Sequence, residues 1–341
     1  MKDLIDKLEN ERTLSHTEFK RLLSCEDDYL HERARETGKR FFGNKIFLRG
    51  LIEFTNYCKN NCYYCGIRYA NKNAERYRLT KEQIMQCCET GYSLGFRTFV
   101  LQGGEDGYYT DDILCDIVAK IRAKYPDCAI TLSIGEREYE SYKRLFDAGA
   151  DRYLLRHETA NDAHYKTLHP DKMSSENRKK CLWDLKKIGY QVGCGFMVGL
   201  LGQTLEHIAE DLLFIKELDP EMVGVGPFIP HSSTPVSKEK LGDLHLTLNI
   251  LAILRLMNPN LLIPSTTALG TIDNDGRELG ILVGANVVMP NLSPVGVRKK
   301  YFLYDNKICT GEEAAECISC MKRRMENIGY NIVVAKGDYV D

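Results

Sequence analysis

Residues 51–65 read LIEFTNYCKNNCYYC: an apolar run, 51–54, that breaks abruptly into a polar loop carrying three cysteines. A short apolar run bounded by turn residues is the pattern of a strand buried on both faces, and the loop then lies at its carboxyl end. The same unit repeats along the chain. Apolar runs recur at 98–102, 129–133, 152–156, 191–198, 222–226, 261–264 and 286–289, and amphipathic stretches such as TKEQIMQCCETGYSLG, TDDILCDIVAKIRAKY and LEHIAEDLLFIKELD fill the intervals. Thr80 and Ser174 or Ser175 are placed as helix N-caps, and Gly95 and Gly189 as helix stops. Eight strands alternating with helices predict an α/β chain folded as a complete (βα)8 TIM-type barrel over 45–291. A charged, helical extension (1–44) precedes it and a cysteine-bearing extension (292–341) follows, all within a single domain, 1–341.

Composition narrows the function. With 46 basic against 48 acidic residues the net charge is −2, which gives no electrostatic footprint for nucleic acid or an anionic membrane. The first twenty residues are charged throughout, without a signal-peptide core, and no stretch is apolar enough to span a bilayer, so the expectation is a cytoplasmic protein. Thirteen cysteines in such a chain favour metal or redox chemistry over a disulfide framework. Seven of them, Cys25, Cys87, Cys88, Cys115, Cys128, Cys181 and Cys194, sit inside helix-like or strand-like segments and read as small core hydrophobes.

The other six form two triplets. Cys58, Cys62 and Cys65 place three thiolates within eight residues, the soft ligand set of an iron–sulfur cluster. Zinc competes, but a closed zinc site takes four ligands and no fourth Cys or His lies near in sequence. Three ligands on a four-iron cube leave one iron open, which the amine and carboxylate of S-adenosylmethionine (SAM) can chelate. Cys309, Cys317 and Cys320 repeat the arithmetic near the C-terminus. They read as an accessory [2Fe–2S] or [4Fe–4S] cluster with one exogenous ligand, or as an empty site.

In a barrel the chemistry gathers at the carboxyl ends of the strands. There, Gln102-Gly103-Gly104-Glu105 lets backbone approach a ligand, or else is only a tight turn. Glu158 and Arg178 suit a zwitterion, or else a buried salt bridge. The glycine-rich 199–204 loop suits an adenine edge.

The C-x3-C-x2-C spacing with an aromatic before its last cysteine resembles the motif of the radical SAM superfamily, and Gln102–Glu105 resembles its GGE motif. IEFTNYCKNNCYYCGIR, VLQGGEDGYY, GADRYLLRHETAN, MVGVGPFIPH, TTALGTI, GANVVMPNLSP and the C-terminal triplet together resemble the HydE family of [FeFe]-hydrogenase maturases, over roughly residues 45–325. Biotin synthase and methylornithine synthase are similar relatives. The HydE resemblance implies a [4Fe–4S] enzyme that cleaves SAM to a 5′-deoxyadenosyl radical. Its target is a cysteine-ligated iron–CO–CN complex supplied by HydG, and its product passes to the scaffold HydF. A flavodoxin or ferredoxin supplies electrons. By the same resemblance Gln102, Gly103, Gly104, Glu105, Glu158, Arg178, Met222 and Tyr301 form the SAM pocket, and Arg156, Thr266 and Thr267 hold internal anions. Leu201 departs from the proline that relatives often carry there. Two other functions compete: a methylornithine- or biotin-synthase-like enzyme of amino-acid or cofactor biosynthesis, and a non-catalytic metal-binding protein.

Overall fold

The computed structural model describes residues 1–25, 28–311 and 314–339. The strands in chain order are β1 (Lys45–Leu48), β2 (Gly50–Thr55), β3 (Thr98–Gly103), β4 (Ala129–Ser133), β5 (Arg152–Leu154), β6 (Gln191–Cys194), β7 (Met197–Val198), β8 (Met222–Val223), β9 (Gly226–Pro227), β10 (Val287–Val288) and β11 (Asn331–Val333). A parallel sheet runs β2-β3-β4-β5-β6-β8, beside a three-stranded sheet β10-β1-β11 and the pair β7-β9. All these pairings are parallel. Helices connect β2 through β6 in succession, so these strands are largely buried on both faces, which is why they read as near-continuous apolar runs. The caps behave as expected: Thr80 and Ser174 accept from the backbone of their first turns, and Gly189 closes its helix at φ 110°.

Three expected strands differ. The run 191–198 divides into β6 and β7 because Gly195 turns the chain at φ 144°, where an added Cβ would meet Gly224 O at 2.1 Å. The run 222–226 divides likewise, into β8 and β9. The run 261–264 forms no strand and contributes single parallel bridges, Met222↔Leu262 and Pro264↔Val287, while Leu51↔Asn291 bridges the edge at β2.

The helices Lys2–Glu11, His16–Leu23 and Asp28–Phe42 bury Ile5, Leu8, Phe19 and Leu30 against the helices Leu205–Leu218 and Leu244–Met257. The stretch beyond residue 291 is woven into the fold: β11 pairs with β1, and Asp338 pairs at 2.5 Å with buried Arg152 beneath the starts of β3 and β5. Among the described residues no helix is long and apolar enough to cross a membrane.

Candidate active site

The cysteine loop leaves the carboxyl end of β2 and is held by a set of polar groups, of which Thr55, Asn56 and Asp106 are buried. Asn56 donates to Lys300 O at 2.6 Å and accepts from Tyr77 N at 2.8 Å. The Arg76 guanidinium reaches four loop carbonyls, those of Asn56, Ile67, Arg68 and Asn71. Thr55 donates to Asp106, which also takes a two-pronged ion pair from Arg78 at 2.6 and 2.8 Å. Lys59 N donates to Glu105 O, fastening this loop to the next strand's turn. The loop's shape is thus fixed by bonds to the protein itself.

Its three thiols are largely withdrawn from water. Burial pushes Cys58 and Cys62 up and lifts Cys65 to about 12, so without a positively charged partner they stay protonated. No group of three His, Cys, Asp or Glu side chains among the described residues converges on one metal ion. Ligands of a cube need not converge, since each binds a different iron. Tyr64, just before Cys65, turns its hydroxyl to His169 Nε2 at 3.0 Å, with the two rings edge to face. Cys62 Sγ lies 3.9 Å from Met173 Sδ.

Around this loop the structure gathers most of the expected SAM residues. Gly104 lies against it: a Cβ there would come within 2.2 Å of Tyr57 O and 2.7 Å of Cys58 Cβ. Gly103 is packed under Thr55 and Phe54. Gln102 Nε2 faces the buried Tyr301 hydroxyl at 3.4 Å. Glu105 is already engaged, accepting from Glu136 N at 3.0 Å and pairing with Lys59 at 3.2 Å. Glu158 takes Arg156 Nε on Oε1 at 3.1 Å, while its buried Oε2 has no partner. Arg178 sits 2.7 Å from Glu136 Oε1, in an ion pair whose angle makes no hydrogen bond. An orphaned carboxylate oxygen and an under-used guanidinium beside three thiols fit a zwitterionic ligand chelating an open iron.

Glu158 stands at φ 66°, in the left-handed region a side chain rarely adopts. Its neighbours hold it there. Glu158 N donates to Gly195 O, Gly195 N donates to His157 Nδ1, and His157 Nε2 lies 3.3 Å from Asp211 Oδ1, both side chains fully buried. Asp211 Oδ1 also accepts from Ala160 N at 2.5 Å, and burial raises its pKa. Asp211 was hidden in an ordinary amphipathic helix, where its sequence neighbours give no sign of a loop-holding role.

Met222, first in β8 and in register with Gly193 of β6, packs with Leu262 and Val287, and Arg49 Nη1 donates to its sulfur at 2.8 Å. Thr266 caps the helix Thr267–Ile272 and lies where a Cβ on Gly226 would meet its hydroxyl at 2.7 Å. Thr267 Oγ1 accepts from Arg277 Nη2 at 3.3 Å, and the same nitrogen faces Cys309 Sγ at 3.5 Å. Cys309 and Cys317 line one cavity with Thr267, whereas Cys320 is exposed. Sequence reading also missed Glu53, fully buried on β2 in register with Gln102. It pairs with Lys307, and its other oxygen accepts from Asn291 at 2.7 Å. A carboxylate inside a buried strand was the available signal.

Known proteins resemble this chain over nearly its whole length. A family model described as the Radical SAM superfamily matches residues 52–215. The [FeFe] hydrogenase maturase subunit HydE of Thermotoga maritima is 46% identical over 332 residues, covering 96% of this chain and 94% of the relative. A 3-methylornithine synthase of Methanosarcina acetivorans is 31% identical, over 93% and 89% respectively. Among solved structures, methylornithine synthase (PylB) superposes with a TM-score of 0.82 at 29% identity, covering 97% of both chains. The maturase HydG superposes with a TM-score of 0.83 at 21% identity, over 99% of this chain and 76% of that one, which speaks to the fold alone.

Proposed function

Since the chain belongs to the HydE family of radical SAM enzymes, a membership that implies a [4Fe–4S] cluster and SAM, we propose that it serves [FeFe]-hydrogenase maturation by acting on a cysteine-ligated iron–CO–CN complex. The observation that carries the reading is the loop holding Cys58, Cys62 and Cys65 at the end of β2, with Gly104 seated against it and the Glu158 carboxylate close enough to act on the Cys62 and Cys65 thiols. Bound there, the cluster and SAM supply a 5′-deoxyadenosyl radical by reductive cleavage of a carbon–sulfur bond.

The chain's own residues bind and orient. The three thiols give up their protons to hold the cluster and leave one iron for SAM. Gly103 and Gly104 bring the β3 turn close to the methionyl ammonium. Glu158 and Arg178 take the opposite charges of the zwitterion, and Gln102 and Tyr301 border the pocket. Arg156, Thr266 and Thr267 donate to the anionic groups of the substrate. Cys309, Cys317 and Cys320 hold an accessory [2Fe–2S] or [4Fe–4S] cluster. The substrate arrives from HydG, the product leaves for HydF, and a flavodoxin or ferredoxin provides the electron. The sheet is read as a closed eight-membered ring within one domain, supported by the bridges Met222↔Leu262, Pro264↔Val287 and Leu51↔Asn291.

The test is anaerobic turnover of the reconstituted, reduced protein with the HydG product, with lysine as comparator. Release of 5′-deoxyadenosine that depends on the HydG product supports the maturation reading. Turnover of lysine alone sinks it in favour of a methylornithine-synthase-like reaction.

A further inference from the structure

The outer face of the cysteine loop carries charge and aromatic surface that the assignments above leave unused. Residues 56–78 hold five basic side chains, Lys59, Arg68, Lys72, Arg76 and Arg78, against one acidic, Glu75, in a chain whose net charge is −2. Two of these cations have carboxylate partners from the β3 turn, but the partners are withdrawn. Glu105 behind Lys59 and Asp106 behind Arg78 keep 10% and 3% of their side chains exposed, against 65% and 34% for the cations. The positive ends therefore face water and the negative ends do not.

Aromatic rings continue the same face. Tyr69 and Tyr108 are 63% and 57% exposed, and tyrosine and arginine are the residues that protein interfaces favour. Lys72 Nζ lies 4.4 Å over the Tyr69 ring, and the Arg78 guanidinium lies 3.7 Å from the centre of the Tyr57 ring and 4.8 Å from that of Tyr108. Tyr69 N donates to Asn60 O and Lys59 N to Glu105 O, so the stretch carrying Cys58 joins the two halves of the patch. Stacking holds these side chains in place, which lowers the entropy lost when a partner covers them.

We propose that this face, from Tyr69 and Lys72 across Lys59 to Tyr108, docks a small acidic protein that delivers one electron to the cluster held by Cys58, Cys62 and Cys65. The donor is oxidised by one electron and the cluster reduced by one, with no bond or proton changing hands. Complementary charge selects an acidic partner, and a small patch suffices because redox contacts are brief and bury little area. A nucleic acid fits less well, since the chain outside this loop is net negative. The proposal rests on the radical SAM reading for the electron's destination.

The test is a calorimetric titration of the full chain with an acidic flavodoxin, as purified and again after anaerobic reconstitution, with a lysine-rich cytochrome c and a single-stranded oligonucleotide as comparators. Saturable binding of the flavodoxin and of neither comparator is expected, with an affinity that falls as ionic strength rises. Lys72→Glu should weaken it about five-fold or more at low salt, and Tyr69→Ser/Tyr108→Ser about ten-fold. Lys216→Glu, the same charge change on an exposed residue near the end of the helix Leu205–Leu218, just before β8, should leave it unchanged. Both loop variants should release 5′-deoxyadenosine at the wild-type rate with dithionite and more slowly with reduced flavodoxin. Absence of dithionite-driven cleavage in the wild type fails the radical SAM reading, while the titration still decides the docking surface. No flavodoxin binding, or an affinity unchanged in the loop variants, overturns the proposal. So does comparable binding of the oligonucleotide, or self-association of the chain that the same variants abolish.

Discussion

Replacing Gly104 with Ala adds one methyl group where the cysteine loop meets β3. Its Cβ would stand 2.2 Å from Tyr57 O and 2.7 Å from Cys58 Cβ, whereas real Cβ contacts stay at 3.0 Å or more. The loop or the strand end must therefore yield by about 0.8 Å at least, and the obstacle is backbone, which cannot rotate away. Overpacking of this kind costs about 1–3 kcal/mol in stability. A displacement approaching 1 Å at a site that orients reacting groups lowers rate by roughly a hundred-fold. The expected phenotype of Gly104→Ala is a modest loss of melting temperature with a much larger loss of SAM cleavage, read as 5′-deoxyadenosine released per cluster. Gly107→Ala is the matched control, because nothing lies within 4 Å of a Cβ there, and it should behave as wild type. If Gly104→Ala cleaves SAM at the wild-type rate, the close approach of this turn to the cluster loop has no functional weight.

Further outcomes follow from the same geometry. Glu158→Gln, which removes the charge beside Arg156 and leaves the loop's backbone bonds, should weaken SAM binding about ten-fold by calorimetry while iron content stays constant. Glu53→Gln strands Lys307 in the interior and should cost about 3 kcal/mol or more in urea unfolding, with Glu53→Gln/Lys307→Met recovering most of it. Burial pulls His169 down to about 4 from an ordinary 6.5, so the unfolded chain binds the extra proton first. Stability should thus be fully present above about pH 6.5 and decline as pH falls toward 4, by up to about 3 kcal/mol. His169→Gln should flatten that acid limb, and an unchanged slope would contradict the assignment.

Much of this architecture was legible because its causes are local. Apolar runs doubly covered by helices look the same wherever they occur, and three cysteines after the first such run announce themselves. What escaped depends on three-dimensional register. The division of 191–198 at Gly195 follows from crowding by Gly224 O, an atom 29 residues away, and no periodicity encodes that. Glu53 and Lys307 are 254 residues apart, and only the folded chain joins them. Asp211 gains its role from Ala160 and His157 on another element.

The central claim is that Cys58, Cys62 and Cys65 hold a cluster with an iron open to SAM. Electron paramagnetic resonance of the anaerobically reconstituted, dithionite-reduced protein, with and without SAM, tests it most directly in a background where Cys309, Cys317 and Cys320 are all alanine. The account predicts a [4Fe–4S]+ signal that shifts on adding SAM and disappears in Cys62→Ala. A SAM-responsive signal that survives Cys62→Ala would contradict it.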